Sequence, residues 1–536
     1  MKVFIGIELG STRIKAVAID QSGKPLASGG FDWENRLENG VWTYHFEEVW
    51  GGLQESYKQL SEDFLAAQGA PLTEISGVGI SAMMHGYIAL CQNGNPLTEF
   101  RTWRNTFTGE SAKLLTKTFG FNIPQRWTIA HLHRAIVKKE AHVFKIDYLT
   151  TLAGYIHYKL TGKKVVGVGE AAGIFPIRGT SKDYDADMAD KFHELIGEHK
   201  MPWRLEKILP KIMCAGENAG YLTPAGAKLL DPAGNLKPGI PLCPPEGDAG
   251  TGMVATNAVT PHTGNISAGT SVFAMLVLEK ELSKLYPEID MVATPTGKPV
   301  AMVHCNNCTS DLDAWVNLFG DVLTKMGKTS GKTELYRTLY NAALCGDADC
   351  GGLVSVNYLS GEHMTGFHEG RPLFARTPDR GLSVENFMRS LIFSSMATLR
   401  IGMDLLAGED IMIEKFLGHG GLFKTPIVGQ RLMAAALNIP VAVMDCAGEG
   451  GAWGIALLAA FGACREKGET LEQFLASEIF ADSAVSTIRP EPTDVKGFNA
   501  YLERYKAALE VEKTAVKTLS NNQTAESVTN ISAHQA

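Results

Sequence analysis

The chain opens on an apolar run from Val3 to Leu9, a Gly10-Ser11-Thr12 turn and a partly alternating stretch from Lys15 to Asp20, a pattern that predicts a β-hairpin. A helix follows over Phe46 to Leu60, with Phe46, Val49, Trp50, Leu53, Tyr57 and Leu60 on one face. Gly77-Val78-Gly79-Ile80 reads as a short buried strand that delivers the loop Ser81-Ala82-Met83-Met84-His85-Gly86 to a cleft edge. Near the middle, Gly264 to Ser271 and then Val272 to Leu278 repeat the opening pattern of strand, tight glycine–hydroxyl turn and returning strand. Two such hairpins about half a chain apart suggest a duplicated architecture. The clearest helix is Val384 to Leu406, where Val384, Phe387, Leu391, Met396, Leu399, Met403 and Leu406 recur at helical spacing and Ser383 is the expected N-cap. Gly418-His419-Gly420-Gly421 comes next, then a helix expected to open with Thr425 as N-cap and Pro426 in first position and to stop at Asn438 and Pro440. A strand over Val441 to Met444 feeds a second glycine cluster, Gly448 to Gly454.

Length adds a domain count. The 536 residues are too many for one ordinary core, and the expected division is 1–257, 258–510 and a polar, disordered tail over 511–536 that is poorest in apolar residues from Ser520. Apolar residues at 45% and charged residues at 20% fit a soluble globular chain. The net charge of −8 repels polyphosphate backbones, which argues against nucleic acid as a partner. Neither a charged leader followed by a long apolar core nor a run long enough to cross a bilayer is present, the longest being around Trp453 to Phe461, so no membrane association is expected. Nine scattered cysteines suit free thiols in a reducing, cytoplasmic setting, and the sequons at Asn522 and Asn530 then read as chance.

Candidate chemistry begins with phosphate. Glycine and small hydroxyl residues at a hairpin tip let backbone N–H groups approach phosphate oxygens, and Gly10-Ser11-Thr12 and Gly269-Thr270-Ser271 both qualify. Either alone reads more readily as an ordinary hairpin turn; opposed across a cleft they would grip a polyphosphate from two sides. Gly331-Lys332-Thr333 resembles the end of a P-loop, but Met326 stands where the first glycine belongs. Gly167-Val168-Gly169 loosely fits a dinucleotide fingerprint that Pro176 deprives of its helix. In Pro244-Pro245-Glu246-Gly247-Asp248-Ala249-Gly250, Asp248 reads equally as the carboxylate that accepts an alcohol's proton during phosphoryl transfer or as a helix N-cap.

Six segments in order, Gly6 to Thr12, Met84-His85-Gly86, Gly247-Asp248, Ser267 to Ser271, Tyr358 to Glu362 and Gly418 to Gly421, resemble the FGGY carbohydrate kinases over about residues 3 to 465. That resemblance implies an α/β fold of two actin-like, ribonuclease-H-like domains with a nucleotide and sugar cleft between them, and ATP and Mg²⁺ as cofactors. It implies Asp248 as general base, Gly10, Ser11 and Thr12 as the first phosphate loop and Gly269 and Thr270 as the second. Gly420, Gly421 and the Thr425 helix start would hold adenosine and the α-phosphate; Met84 and His85, with Trp103 and Asn105, would meet the sugar, as in the xylulose kinases of the family. The family usually carries aspartate where this chain has Glu8, which would still reach Mg²⁺ through water. Glu246 would supplement the acidic cluster or, the reading favoured, is a solvated loop residue. Cys305, Cys308, Cys345 and Cys350 have spacing too loose for a zinc site, and Trp315 and Asp311 fit core packing and a solvated face as well as a cleft. The function expected is transfer of the ATP γ-phosphate to a terminal hydroxyl of a small ketose, a pentulose such as ribulose or xylulose. The alternative is a catalytically weak sensor that binds nucleotide and sugar. A homodimer is left open.

Overall fold

The computed structural model describes residues 2–178, 182–378, 381–444, 450–481, 483 and 485–519. Its first sheet is built on β1 (Val3–Leu9), β2 (Arg13–Asp20) and β3 (Pro25–Asp32), three antiparallel neighbours. Covered on both faces, β1 is buried almost end to end, which explains a continuous apolar run rather than alternation. The helix α1 (Phe46–Gln68) packs on β3 and β2 through Val49, Leu53, Tyr57, Leu60 and Phe64. It runs two turns past the expected end and stops at Gly69, whose left-handed φ of 70° closes the C-terminus. Beyond β1 lies the parallel β4 (Gly77–Ala82). Two short elements follow, β5 (Val165–Gly167) and the one-turn α2 (Val168–Ala171), too short for a dinucleotide-binding helix. The sheet ends at β6 (Glu246–Gly247), parallel to β4, and the chain turns at once into α3 (Asp248–Ala255).

The second sheet repeats the plan. Antiparallel β7 (Thr263–Ala268), β8 (Val272–Val277) and, past β9 (Ile289–Ala293), β10 (Pro299–Cys305) take the places of β1 to β3. The helix α4 (Val384–Leu405) lies inside this domain's core, its first turn capped by Ser383 Oγ accepting from the Asn386 N–H. It is long and apolar enough to cross a membrane by composition, but its surroundings are protein. Parallel β11 (Lys415–His419), α5 (Val428–Leu437) and β12 (Val441–Met444) complete the counterpart of β4 and β6. The order β3-β2-β1-β4-β6 in one sheet therefore matches β10-β8-β7-β11-β12 in the other, the duplication that the two hairpins suggest.

The helix α6 (Gly450–Cys464), although it follows β12, does not stay with the second sheet. It packs on β1, β4 and α3. Glycines make this contact possible: a Cβ on Gly6 would stand 1.9 Å from the Ala452 carbonyl oxygen, and one on Gly454 2.1 Å from that of Thr251. Residues 450–464, assigned to the second unit by chain order, are thus seated on the first. The antiparallel edge strand β13 (Val485–Ile488) and the helix α7 (Pro492–Thr518) close the second domain. A tail starting at 511 is corrected by α7, which carries the chain to Thr518 and buries Glu512 as acceptor for the Arg371 N–H. Residues from 520 onward, and Gly448 and Glu449 of the second glycine cluster, lie outside the described residues.

Candidate active site

The first hairpin turn closes when the Gly10 N–H donates to the Arg13 carbonyl at 3.0 Å. Two aromatic residues absent from the sequence-level site hold it from behind. Trp33 Nε1–H donates to the Gly10 carbonyl at 2.8 Å and the Tyr44 hydroxyl to the Ser11 carbonyl at 2.6 Å, their rings stacked 4.1 Å apart. Both look like core residues in the sequence; only the polar tips of their rings hint at a task. With its carbonyls engaged, the turn keeps the N–H groups of Ser11 and Thr12 without a backbone acceptor among the described residues, a cradle that fits a phosphate. Trp103 joins this turn, its Nε1–H 3.3 Å from Ser11 Oγ. Asn105 does not present a free amide: its Oδ1 accepts from the Trp42 N–H, and its Nδ2 donates to the Trp42 and Thr102 carbonyls. That corrects Asn105 from a sugar contact to a brace of the Trp103 segment.

The second turn is built alike. The Gly269 N–H donates to the Ser271 carbonyl at 2.9 Å, and the carbonyls of Gly269 and Thr270 accept from the N–H groups of Thr309 and Cys308, each at 3.0 Å. A Cβ on Gly269 would meet nothing within 4 Å, so the loop faces open space. Gly420, at φ +98°, presses the third loop onto it; any side chain there would stand 2.6 Å from the Ala268 carbonyl. Thr425 is not the N-cap. The helix starts at Val428, after Ile427 at φ 71°, because the chain first makes a 3-10 turn over Gly421–Phe423.

The carboxylates sit at the end of β1 and at the junction of β6 and α3. Asp248, first residue of α3, takes N–H donations from Met84 at 3.1 Å and Ala249 at 2.9 Å, both on Oδ1, which leaves Oδ2 to take a proton. Burial lifts its carboxyl to about 6, against the pull of those bonds. Glu8 is partly buried and accepts the Ala452 N–H at the start of α6; burial first, and the charge of Asp248 second, raise it to about 7. Glu246 is not solvated: it is 1% exposed, accepts the N–H groups of Gly169 and Glu170, and is lifted by burial to about 8. The Gly167-Val168-Gly169 stretch exists for that contact, since a Cβ on Gly167 would stand 2.1 Å from Glu246 Oε1. His85, at φ 72° and 5% exposed, lies against Gly173 and stacks on Trp127 at 6.3 Å; burial, then Arg126, hold its imidazole well below the usual range. Cys305, Cys308 and Cys350 are buried in the second core while Cys345 is exposed. Asp311 and Trp315 belong to that domain too, Trp315 meeting Phe387 edge-on at 4.9 Å.

One glycine–hydroxyl turn in each of the two duplicated sheets and the carboxylate of Asp248 at the head of α3 make up the candidate site. Residues 3–254 match the N-terminal domain, and residues 264–463 the C-terminal domain, of the FGGY family of carbohydrate kinases. The chain belongs to that family. It is a phosphotransferase with the two-domain actin-like, ribonuclease-H-like fold. A xylulose kinase of Haemophilus influenzae is 21% identical over 516 residues, 94% of this chain and 98% of that one. Among solved structures, xylulose kinase from Rhodospirillum rubrum superposes with a TM-score of 0.76 at 17% identity, over 95% of this chain and 99% of that one. Gluconate kinase from Lactobacillus acidophilus gives 0.76 at 19% identity, over 95% and 98%.

Proposed function

We propose that this FGGY kinase transfers the γ-phosphate of ATP to a terminal hydroxyl of a small ketose, a pentulose such as xylulose or ribulose. The observation that carries the reading is that Asp248 takes the Met84 and Ala249 N–H groups on Oδ1 alone; Oδ2 would then meet the acceptor hydroxyl beside His85. Gly10, Ser11 and Thr12 would hold phosphate from the first domain, and Gly269 and Thr270 from the second, with Gly420 and Gly421 at the nucleotide's far end. Thr425 is no helix cap and plays no part as one. Glu8 would anchor Mg²⁺ through water, and the bound metal supplies neutralisation of charge on the transferring phosphoryl group. Asp248 accepts the proton as the O–P bond forms, and Met84 and the start of α3 keep it aimed. Met84, His85 and Trp103 line the acceptor's place.

The named relatives support a xylulose-type acceptor, and the gluconate kinase likeness makes a sugar acid the competitor to exclude. The test is ADP release with Mg-ATP against pentuloses, hexuloses, polyols, gluconate and no sugar, alongside Asp248→Asn. Release that depends on a pentulose and falls by about 10²- to 10⁴-fold in the variant, with nucleotide binding kept, supports the reading. Intact nucleotide binding with no sugar-stimulated release across the panel overturns it in favour of a sensor.

A further inference from the structure

Along β10, residues alternate between two cores. Ala301, Val303 and Cys305 turn into the core of the second domain, while Val300 and Met302 join the apolar cluster that also holds residues of α3 and α6. His304 continues that second row, in register with Phe273 and one residue from Cys305, whose partner Val272 closes the second turn opposite Ala268. Its ring lies between two others, Phe273 at 6.2 Å and His363 at 6.0 Å, with interplanar angles of 23° and 21°. His304 Nδ1 is enclosed and has no hydrogen-bond partner among the described residues.

The segment Tyr358 to Glu362 explains how His363 comes to lie there. The buried carboxylate of Glu362 accepts from the N–H groups of Asn306 and Asn307 and from Asn307 Nδ2. In return Asn307 Oδ1 accepts from the N–H groups of Leu359 and Ser360. These bonds clamp the loop to the end of β10 and set His363 on His304. Opposite, Arg126 pairs with Asp290 on β9, and Asn122 Nδ2 donates to the Ile289 carbonyl and to Asp290 Oδ1. Backbone and ring contacts bring the histidines to this pair: the Gly86 N–H donates to the Arg126 carbonyl at 3.1 Å, His85 stacks on Trp127, and Asp290 stands opposite Met302 on β10, two residues before His304.

Resting on the ketose-kinase reading, we infer that the sugar end remote from the transferred phosphoryl group is read, as uncharged hydroxyls, by His304 and His363 of the second domain together with His85 of the first. Burial and Arg126 hold His85 and His304 well below the usual imidazole range, so both are neutral near pH 7. A neutral imidazole offers one donor and one acceptor, the complement of a hydroxyl. The charge of Arg126 is taken by Asp290, so a carboxylate-ended sugar finds no unpaired cation in this cluster. One domain then supplies the base and the other part of the specificity, and the acceptor site is complete only with both.

His304→Phe and His363→Phe keep the ring stack and delete the nitrogens. The measurement is kcat and KM for the ketose, for its analogue deoxygenated at the remote end, and for ATP. Each variant should raise KM for the ketose about 3- to 10-fold, the loss of one hydrogen bond, with KM for ATP unchanged. The wild-type preference for the ketose over the deoxy analogue should shrink by the same factor, an effect that a merely structural role would not produce. His363 is 43% exposed, so its variant keeps the test open should His304→Phe not fold. Variants that fold and retain the wild-type preference overturn the inference, as does wild-type preference for gluconate over any ketose. If wild-type protein releases no ADP with any ketose, the kinase reading fails first and the inference with it; that control separates the two failures.

Discussion

Asp248 takes two backbone N–H donations on one oxygen, burial raises it to about 6, and in the proposed mechanism its other oxygen is the base. A general base must be ionised, so kcat/KM for the sugar should fall about tenfold per unit as pH drops below about 6 and level off above it. A pH–rate profile checks this, and its acid limb should be absent from the residual activity of Asp248→Asn. Glu246 offers a second titration, read in stability rather than rate. Its folded value of about 8 lies above the ordinary 4.5, so between those values the folded state binds more protons than the unfolded one. The stability it contributes is complete below about pH 4.5 and is lost as pH rises through about 8. Glu246→Gln keeps an oxygen for the Gly169 and Glu170 N–H groups, and denaturant titrations from pH 5 to 8.5 should show a flatter decline than wild type.

The elements that matter most here are those whose glycines make room rather than turns. α6 reaches β1 and α3 only because Gly6, Gly451 and Gly454 lack side chains, and the Cβ of an alanine at 454 would overlap the Thr251 backbone. Gly454→Ala should therefore destabilise the protein by about 1–3 kcal/mol, seen as a lower denaturation midpoint. Because Thr251 lies one turn after Asp248 on α3, the same variant should also reduce kcat. Gly462, with nothing within 4 Å of its added Cβ, is the control: alanine there should leave both unchanged or slightly raise stability. The glycine clusters are visible in the sequence, but pattern alone offers turn and phosphate roles. Which glycines serve close packing depends on what another part of the chain places against them.

At the scale of the molecule, the domains meet around α3 and α6 and through the Arg126–Asp290 pair with its Asn122 bonds. Asp290→Asn keeps an oxygen for Asn122 and removes the charge that Arg126 needs. It should lower thermal stability by about 1–3 kcal/mol, since a partly enclosed guanidinium is left unpaired. Without substrates, small-angle scattering should show a larger radius of gyration than wild type. Saturating sugar and nucleotide should bring the two together.

Much of this molecule is legible in the chain. Both hairpins, α4 with its Ser383 cap and the strand over Val441 to Met444 stand where local pattern puts them, because strand alternation, helical spacing and cap chemistry are properties of neighbouring residues. The order of motifs likewise carries the family. Tertiary structure alone decided the rest. It buried Glu246 under the Gly167–Gly169 turn, engaged Asn105 with backbone, moved a helix start from Thr425 to Val428 and returned α6 to the first sheet. The helix start is shifted by a local 3-10 turn; the other three depend on partners dozens to hundreds of residues away, and burial or hydrogen bonding across that separation leaves no periodic trace in the sequence.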